Sequence, residues 1–314
     1  MPRVSVVIPV FNAARTIERA LASVFRQTFT DYEVILVDDG SSDGSVARIE
    51  EVLDAAGEAR RARCRVIRLP QNQGAAAARN AGIKAAQGEF VAFLDADDEW
   101  LEDKLARQIA AFDAAGDAVV GGCNAEWRGV SGKFSHHLED GPVVTGRDAW
   151  KALLKSCYLS TPCVIARRDA LEAAGGFDPA LPVGEDQDLW FRLAESGPVL
   201  YLTDVLVRIH KQPDSLMSRQ RMGMVEHYVP MVERHVARNS DRLTARERRE
   251  ILGPLYAQVG RYMYVTGNPG IGARMLLRAV RMGERPFFHL LFMLAKLPYV
   301  IRPMGIKRSE ARHV

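Results

Sequence analysis

The chain of 314 residues carries 42 basic and 39 acidic side chains, a formal charge of +3, and 47% of it is apolar. That is enough to bury one large α/β core with an appended helical region, and the near balance of charge demands no nucleic-acid partner. Four cysteines scattered without Cys-x-x-Cys spacing argue against a zinc site or a disulfide framework and fit a reducing compartment.

In chain order, residues 4–10 read as a buried strand, because Pro9 interrupts the apolar run and a charged amphipathic stretch follows, unlike a secretory signal. Residues 33–37, 65–69 and 90–94 are predicted as further strands. Helices fill the intervals. Ile17, Ala20, Leu21, Val24 and Phe25 recur at helical spacing, as do Val46, Ile49, Leu53 and Ala56, and residues 75–86 have high helix propensity. This alternation predicts a mostly parallel, doubly wound sheet whose ligands bind beyond the carboxyl ends of the strands. A mixed stretch follows, with strands predicted at 119–122, 163–166 and 199–209 and helices at 148–155 and 188–195. After about Ser215 only helices are expected, with Gly267, Asn268 and Pro269 turning between two of them. No stretch reaches the roughly 20 apolar residues that span a bilayer. The nearest, residues 287–300, is broken by His289, Lys296 and Pro298.

Polar residues gather at three predicted strand ends: Asn12 after the first strand, Asp38 and Asp39 after the second, and Asp95, Asp97 and Asp98 after the fourth. In Asp38-Asp39-Gly40-Ser41-Ser42-Asp43, Gly40 permits a tight turn and Ser42 or Asp43 can cap the next helix. Capping leaves the two adjacent carboxylates unexplained, and these can accept hydrogen bonds from a base N–H or a ribose hydroxyl. If the fourth strand stays extended, the carboxylates of Asp95 and Asp97 share one side and suit a hard divalent cation beside a diphosphate. The competing reading is a solvated acidic turn capping a helix that begins near Trp100. Three crowded carboxylates repel one another without a cation, which favours the metal.

Arg79, on the small-residue helix, can pair with phosphate bidentately; unaided, it reads as a surface arginine. In Gly184-Glu185-Asp186-Gln187-Asp188 a carboxylate can act as general base, although acids in a first helical turn are also favoured by the macrodipole. His210 is either a metal ligand or a structural histidine.

Together these segments resemble a family 2 glycosyltransferase of the inverting GT-A type, the group that includes bacterial polysaccharide and lipopolysaccharide enzymes. The resemblance is carried by Ser5 through Asn12, the Asp38-Asp39-Gly40-Ser41 turn, Asn72-Gln73-Gly74 with Ala78-Arg79-Asn80, Leu94 through Asp98, Gly175-Gly176-Phe177-Asp178 and Gly184-Glu185-Asp186. It implies a Rossmann-like mixed α/β sheet flanked by helices over residues 1–218, with a C-terminal helical extension over 219–314. It further implies that Pro9, Phe11, Asn12 and Asp39 line a nucleoside pocket, with Arg79 near the donor and Asp95 on the ribose side. The same resemblance implies that Asp97 holds Mn2+ or Mg2+, with His210 of Arg208-Ile209-His210 as a further ligand, and that Asp186 is the catalytic base. The implied reaction moves a sugar from a nucleotide diphosphate donor, a UDP-sugar first among them, to an acceptor hydroxyl with inversion, in cell-surface polysaccharide or glycolipid synthesis.

The tail, residues 285–296 followed by Arg302, Lys307, Arg308 and Arg312, sets apolar aromatics beside cations. It suits a helix lying on anionic lipid, a homo-oligomer contact or internal packing. With a saccharide or lipid-linked acceptor, the expected location is the cytoplasm, peripheral on the cytoplasmic face of the inner membrane. Two rivals are weaker. A sugar-phosphate nucleotidyltransferase needs a Gly-rich loop near the N-terminus, and residues 9–15 contain no glycine. A catalytically inactive nucleotide-sugar-binding scaffold is expected to have lost a carboxylate, and Asp95, Asp97, Glu185 and Asp186 are all present.

Overall fold

The computed structural model describes residues 1–128, 134–136, 143–210 and 222–301. Two compact units divide the chain, Met1–Gln220 and Arg221–Val314. The predicted boundary at Ser218 and the cations Arg302, Lys307, Arg308 and Arg312 lie outside the described residues.

Among the described residues of the first unit, nine strands form one sheet in the order β3-β2-β1-β4-β8-β6-β9-β5, with β7 (Phe134–His136) paired to β6. Strands β1 (Val4–Val10), β2 (Tyr32–Asp38), β3 (Cys64–Arg68) and β4 (Phe90–Phe93) run parallel. The apolar runs of β1, β2 and β4 are almost fully buried because helices cover both faces of a parallel sheet, whereas β3, at the sheet edge, is half-buried to exposed. Strand β8 (Ile165–Arg167) runs antiparallel to β4 and β6 (Val120–Arg128), and β9 (Val199–His210) runs parallel to β6. The sheet is therefore mixed, not mostly parallel as the first hundred residues alone predict.

The helices pack as their spacing predicts. In α1 (Ile17–Phe25) Ile17, Ala20, Leu21 and Val24 are all buried. Helix α2 spans Ser45–Ala55, and α3 (Glu58–Arg61) is a single turn. Helix α4 (Ala75–Ala85) lies so close to β1 that a Cβ on Gly82 would meet Val7 Cγ1 at 2.3 Å, which accounts for its run of small side chains. On the other half of the sheet, α5 (Lys104–Ala115), α6 (Ala149–Lys155), α7 (Arg168–Ala174) and α8 (Glu185–Ser196) complete the layers. Phe93, Phe177 and Trp190 form an aromatic triad with centroids 5.4–5.7 Å apart that seats α8 against β4. Burying each phenylalanine contributes about 1.5–3 kcal/mol, and this packing sets where the first turn of α8 points.

Several sequence expectations need correction. Strand β4 stops at Phe93, and Asp95 to Asp98 form a turn closed by the Asp98 N–H on the Asp95 carbonyl at 3.0 Å, so the extended run assumed for Asp95 and Asp97 does not continue. Pro9 supplies the reason. The Leu94 N–H bonds to the Val7 carbonyl, whereas the Val10 carbonyl faces β2, so position 9 faces β4. Proline has no N–H to continue that ladder. Nor does a helix begin near Trp100: Glu99 and Trp100 form β5 against β9, and the helix starts at Lys104. A two-residue strand has no periodicity to read. Cys163 belongs to a 3-10 turn, Thr161–Cys163, and β8 begins two residues later. Helix α8 begins at Glu185 rather than residue 188, so Asp186 sits in its first turn.

The second unit is helical: α9 (Val229–Arg238), α10 (Ala245–Val265), α11 (Pro269–Arg281) and α12 (Pro286–Ile301). A capping box of Thr244 and Glu247 starts α10. The predicted turn at Gly267 to Pro269 separates α10 from α11, with Gly267 at φ 102°. These helices cross backbone to backbone, since a Cβ on Gly272 would meet the Gly260 carbonyl at 2.7 Å. Among the described residues no helix is long and apolar enough to cross a membrane.

Candidate active site

Three loops leave the carboxyl ends of β1, β2 and β4 side by side, and short polar contacts lace them together. Asn12, after β1, has φ 50°, a left-handed conformation that asparagine tolerates. Its N–H donates to Ser41 Oγ at 3.0 Å and its Oδ1 accepts from the Ser42 N–H at 2.9 Å. Asp43 accepts from the Ser45 N–H at 3.0 Å, but the residue at the N-cap of α2 is Gly44, so neither Ser42 nor Asp43 takes the predicted capping position. Asp39 is only 2% exposed, and its two oxygens accept the N–H groups of Gln73 at 2.7 Å and Gly74 at 2.8 Å. The motifs Asp39-Gly40 and Asn72-Gln73-Gly74 thus form one joint. Gly40 is required there: its φ is 72°, and a Cβ would meet the Asn72 nitrogen at 2.8 Å.

Arg79 is not a surface arginine. Its residual exposure is 6%, and its guanidinium donates to Asp95 Oδ1 at 2.8 Å and Glu185 Oε1 at 3.2 Å while lying 5.3 Å from the centre of the Phe177 ring. Burial works against the charge, but Asp95 and Glu185 more than offset it, so the guanidinium titrates above its ordinary range. The next residue makes a second clasp: Asn80 exchanges two 2.8 Å hydrogen bonds with the Phe177 backbone. A Cβ on Gly176 would strike Asn80 Oδ1 at 2.4 Å, which explains that glycine, whereas Gly175 has open space around it and a φ of 81°.

A cavity of about 820 Å³ opens between these loops. Pro9, Phe11, Asn12, Asp39, Arg79, Asp95 and Asp97 all line it. Asp186 and His210 do not line it. Asp186 is tied in through its neighbour Glu185, which pairs with Arg79. Its Oδ1 accepts the Gln187 N–H at 2.8 Å and its Oδ2 accepts the Thr161 hydroxyl at 3.1 Å. Burial raises the carboxyls of both Glu185 and Asp186 above the ordinary range, opposed in each case by Arg79. Thr161 carries no motif and is invisible in the sequence. The same is true of Arg19, whose guanidinium donates to the Asp97 carbonyl.

A divalent cation fits the acidic turn on its chemistry. Burial first, and then the charges of Asp95 and Asp97, raise the Asp98 carboxyl well above its ordinary value. His210 ends β9, and its N–H donates to Asp98 Oδ1 at 2.9 Å. Its Nε2 is buried without a hydrogen-bond partner, 3.7 Å from Glu99. Burial also lowers the imidazole below its ordinary value, favouring the neutral ring that ligates metals. Among the described residues no three such groups close a cation site by themselves. Sites of the magnesium type are commonly completed by substrate phosphates.

The sequence model of glycosyl transferase family 2 matches residues 5–175, more than half of the chain, and the protein belongs to that family. An uncharacterized glycosyltransferase of Haemophilus influenzae is 39% identical over 109 residues, 35% of this chain and 42% of that protein. The Escherichia coli UDP-Glc:alpha-D-GlcNAc-diphosphoundecaprenol beta-1,3-glucosyltransferase WfgD is 30% identical over 62% of this chain and 71% of its own length. In three dimensions the chain resembles the mannosyltransferase PcManGT of Pyrobaculum calidifontis, solved with GDP-Man and Mn2+. The TM-score is 0.60 at 22% identity, over 95% of this chain and 82% of the other. At that identity the likeness shows the fold alone, and the fold is GT-A.

Proposed function

We propose that this protein transfers a sugar from a nucleotide diphosphate donor, a UDP-sugar in the first instance, to a hydroxyl of a saccharide or lipid-linked acceptor in the synthesis of a bacterial surface polysaccharide. The observation that carries this is the cavity joining Asp39, Arg79, Asp95 and Asp97 at three strand ends of a family 2 chain. WfgD, with its UDP-glucose donor and diphosphoundecaprenol-linked acceptor, supports the choice of both substrates. In this reading Pro9, Phe11, Asn12 and Asp39 receive the nucleoside, Asp95 meets the ribose, and Asp97 and His210 would hold Mn2+ or Mg2+ beside the diphosphate. The cation would supply Lewis-acid stabilisation of the departing nucleotide diphosphate. Arg79 holds Asp95 and Glu185 in register for the donor and acceptor sides. Asp186 takes the proton of the acceptor hydroxyl as that oxygen bonds to the anomeric carbon and the bond to the diphosphate breaks, inverting the centre. The test of the metal assignment is Asp97→Ala: manganese should no longer strengthen UDP binding, and an unchanged manganese effect would remove Asp97 from the site.

The domain reading follows: residues 1–218 form the transferase domain, and residues 219–314 a helical region that meets the membrane surface. Helix α12 supports the second part. Phe288, Leu290, Leu291 and Leu294 of this helix are each more than half exposed, and Arg281, Arg285 and Lys296 lie near them in the sequence. The full chain should sediment with vesicles containing anionic phospholipid, and Leu291→Glu with Leu294→Glu should return it to the supernatant. Native protein left in the supernatant would overturn the membrane reading and favour a contact between two copies, which size measurement would reveal.

A further inference from the structure

The turn Thr161–Cys163, between α6 and β8, is anchored by two buried side chains from other elements. The Trp100 indole N–H donates to the Pro162 carbonyl at 2.8 Å, and the Gln108 amide donates to the Cys163 carbonyl at 2.9 Å. Gln108 is oriented in turn by Lys104, whose Nζ donates to Oε1 at 2.7 Å while lying 4.1 Å from the centre of the Trp100 ring. Trp100, Gln108 and Lys104 are all 2% exposed or less, so the turn has little freedom to move. What it presents outward is the hydroxyl of Thr161, donating to Asp186 Oδ2. Trp100 belongs to β5, the strand that directly follows the Asp95 to Asp98 turn. One short turn therefore connects the segment bearing the acidic cluster to the carboxylate of α8.

We infer that Thr161 is a positioning residue for Asp186, fixing the orientation of its carboxylate relative to the acidic turn. The inference rests on the reading of Asp186 as the base. Of the two carboxylate oxygens, one is held by the helix's own Gln187 N–H and the other by Thr161, so of these two hydrogen bonds the threonine's is the one that comes from outside α8. The charged and titratable groups around Asp186 are Arg79 from α4, Asp95 from the acidic turn, Glu185 from α8 and the Cys157 thiol from the segment before the turn. Burial raises the Asp186 carboxyl, while Arg79, the Gln187 N–H and the Thr161 hydroxyl draw it down. A base works as the carboxylate, so activity falls as the pH drops through its pKa. Removing the Thr161 hydroxyl moves that fall to higher pH.

The test uses the full chain labelled with 13C at the aspartate carboxyl, with Asp186 assigned by its absence in Asp186→Asn. Thr161→Val should raise the Asp186 titration midpoint by about one pH unit, the size expected for one hydrogen bond to a charged group, and Thr161→Ser should keep the native midpoint. An unchanged midpoint in Thr161→Val overturns the inference; if that variant does not fold, Thr161→Ala is titrated instead with the same two outcomes. UDP release from UDP-glucose, followed against pH, adds a kinetic readout. Thr161→Val should lose about tenfold in kcat on the acid side of the profile with donor KM little changed. A loss equal at every pH marks a merely structural role and also overturns it. Native turnover in Asp186→Asn would instead sink the base assignment, leaving the titration result to stand on its own.

Discussion

Asp186→Asn should bind nucleotide and manganese as the native protein does and lose transfer by roughly 10²–10⁴-fold, the contribution of a positioned general base. The substitution is mild in structure. The asparagine carbonyl can keep the Gln187 N–H, and the Thr161 hydroxyl can reverse its role and accept from the amide. Lost transfer therefore reports lost proton abstraction rather than a displaced helix. The measurement is UDP release with a GlcNAc-diphosphoprenol acceptor and whichever UDP-sugar the native protein turns over fastest, alongside calorimetric UDP binding. A variant that binds normally and still transfers at the native rate would remove Asp186 from the mechanism and turn attention to Glu185, its neighbour in the same helical turn.

The second large effect is on stability. Arg79→Met should lower the melting temperature by on the order of 10 °C, because removing one partner of a buried ion pair costs about 3–5 kcal/mol and a unit of this size loses roughly 2–4 °C per kcal/mol. The side chains of Arg79, Asp95 and Glu185 are 8%, 27% and 21% exposed, so the two acids left behind are poorly screened. Methionine also gives up the cation held over Phe177. Adding Glu185→Gln to Arg79→Met should recover part of the loss by removing one of the stranded charges. Thermal melts that show Arg79→Met as stable as the native protein would mean that the pairs contribute nothing and that the arginine is held for donor binding alone.

Much of the donor half was legible because its signals are local. An apolar β-branched run followed by asparagine or paired aspartates marks a strand end whatever surrounds it, and Asn12, Asp39, Asp95 and Asp97 do line one cavity. The sequence leaves open whether the run stays extended through Asp95 or turns there, because the proline that ends its ladder lies in β1, more than eighty residues earlier in the chain. Unaided by the resemblance, Arg79 reads as a surface arginine for a related reason. Its partners Asp95 and Glu185 come from distant segments, and an arginine among alanines has no local feature to distinguish burial from exposure. Thr161 shows the limit most clearly, since a threonine before a proline reads as loop punctuation and only the approach of α8 gives its hydroxyl a partner. The six motifs are better understood as four joints: Asn12 with Ser41 and Ser42, Asp39 with Gln73 and Gly74, Asn80 with the Phe177 backbone, and Arg79 with Asp95 and Glu185.

The central claim is a nucleotide-diphosphate site completed by a divalent cation, and calorimetric titration of the purified full chain tests it most directly. UDP, GDP and dTDP are each added with and without manganese. The account predicts that one nucleotide, UDP, binds and that its binding requires the metal. Absence of binding by all three under both conditions would contradict it and favour a scaffold that keeps the fold without the chemistry.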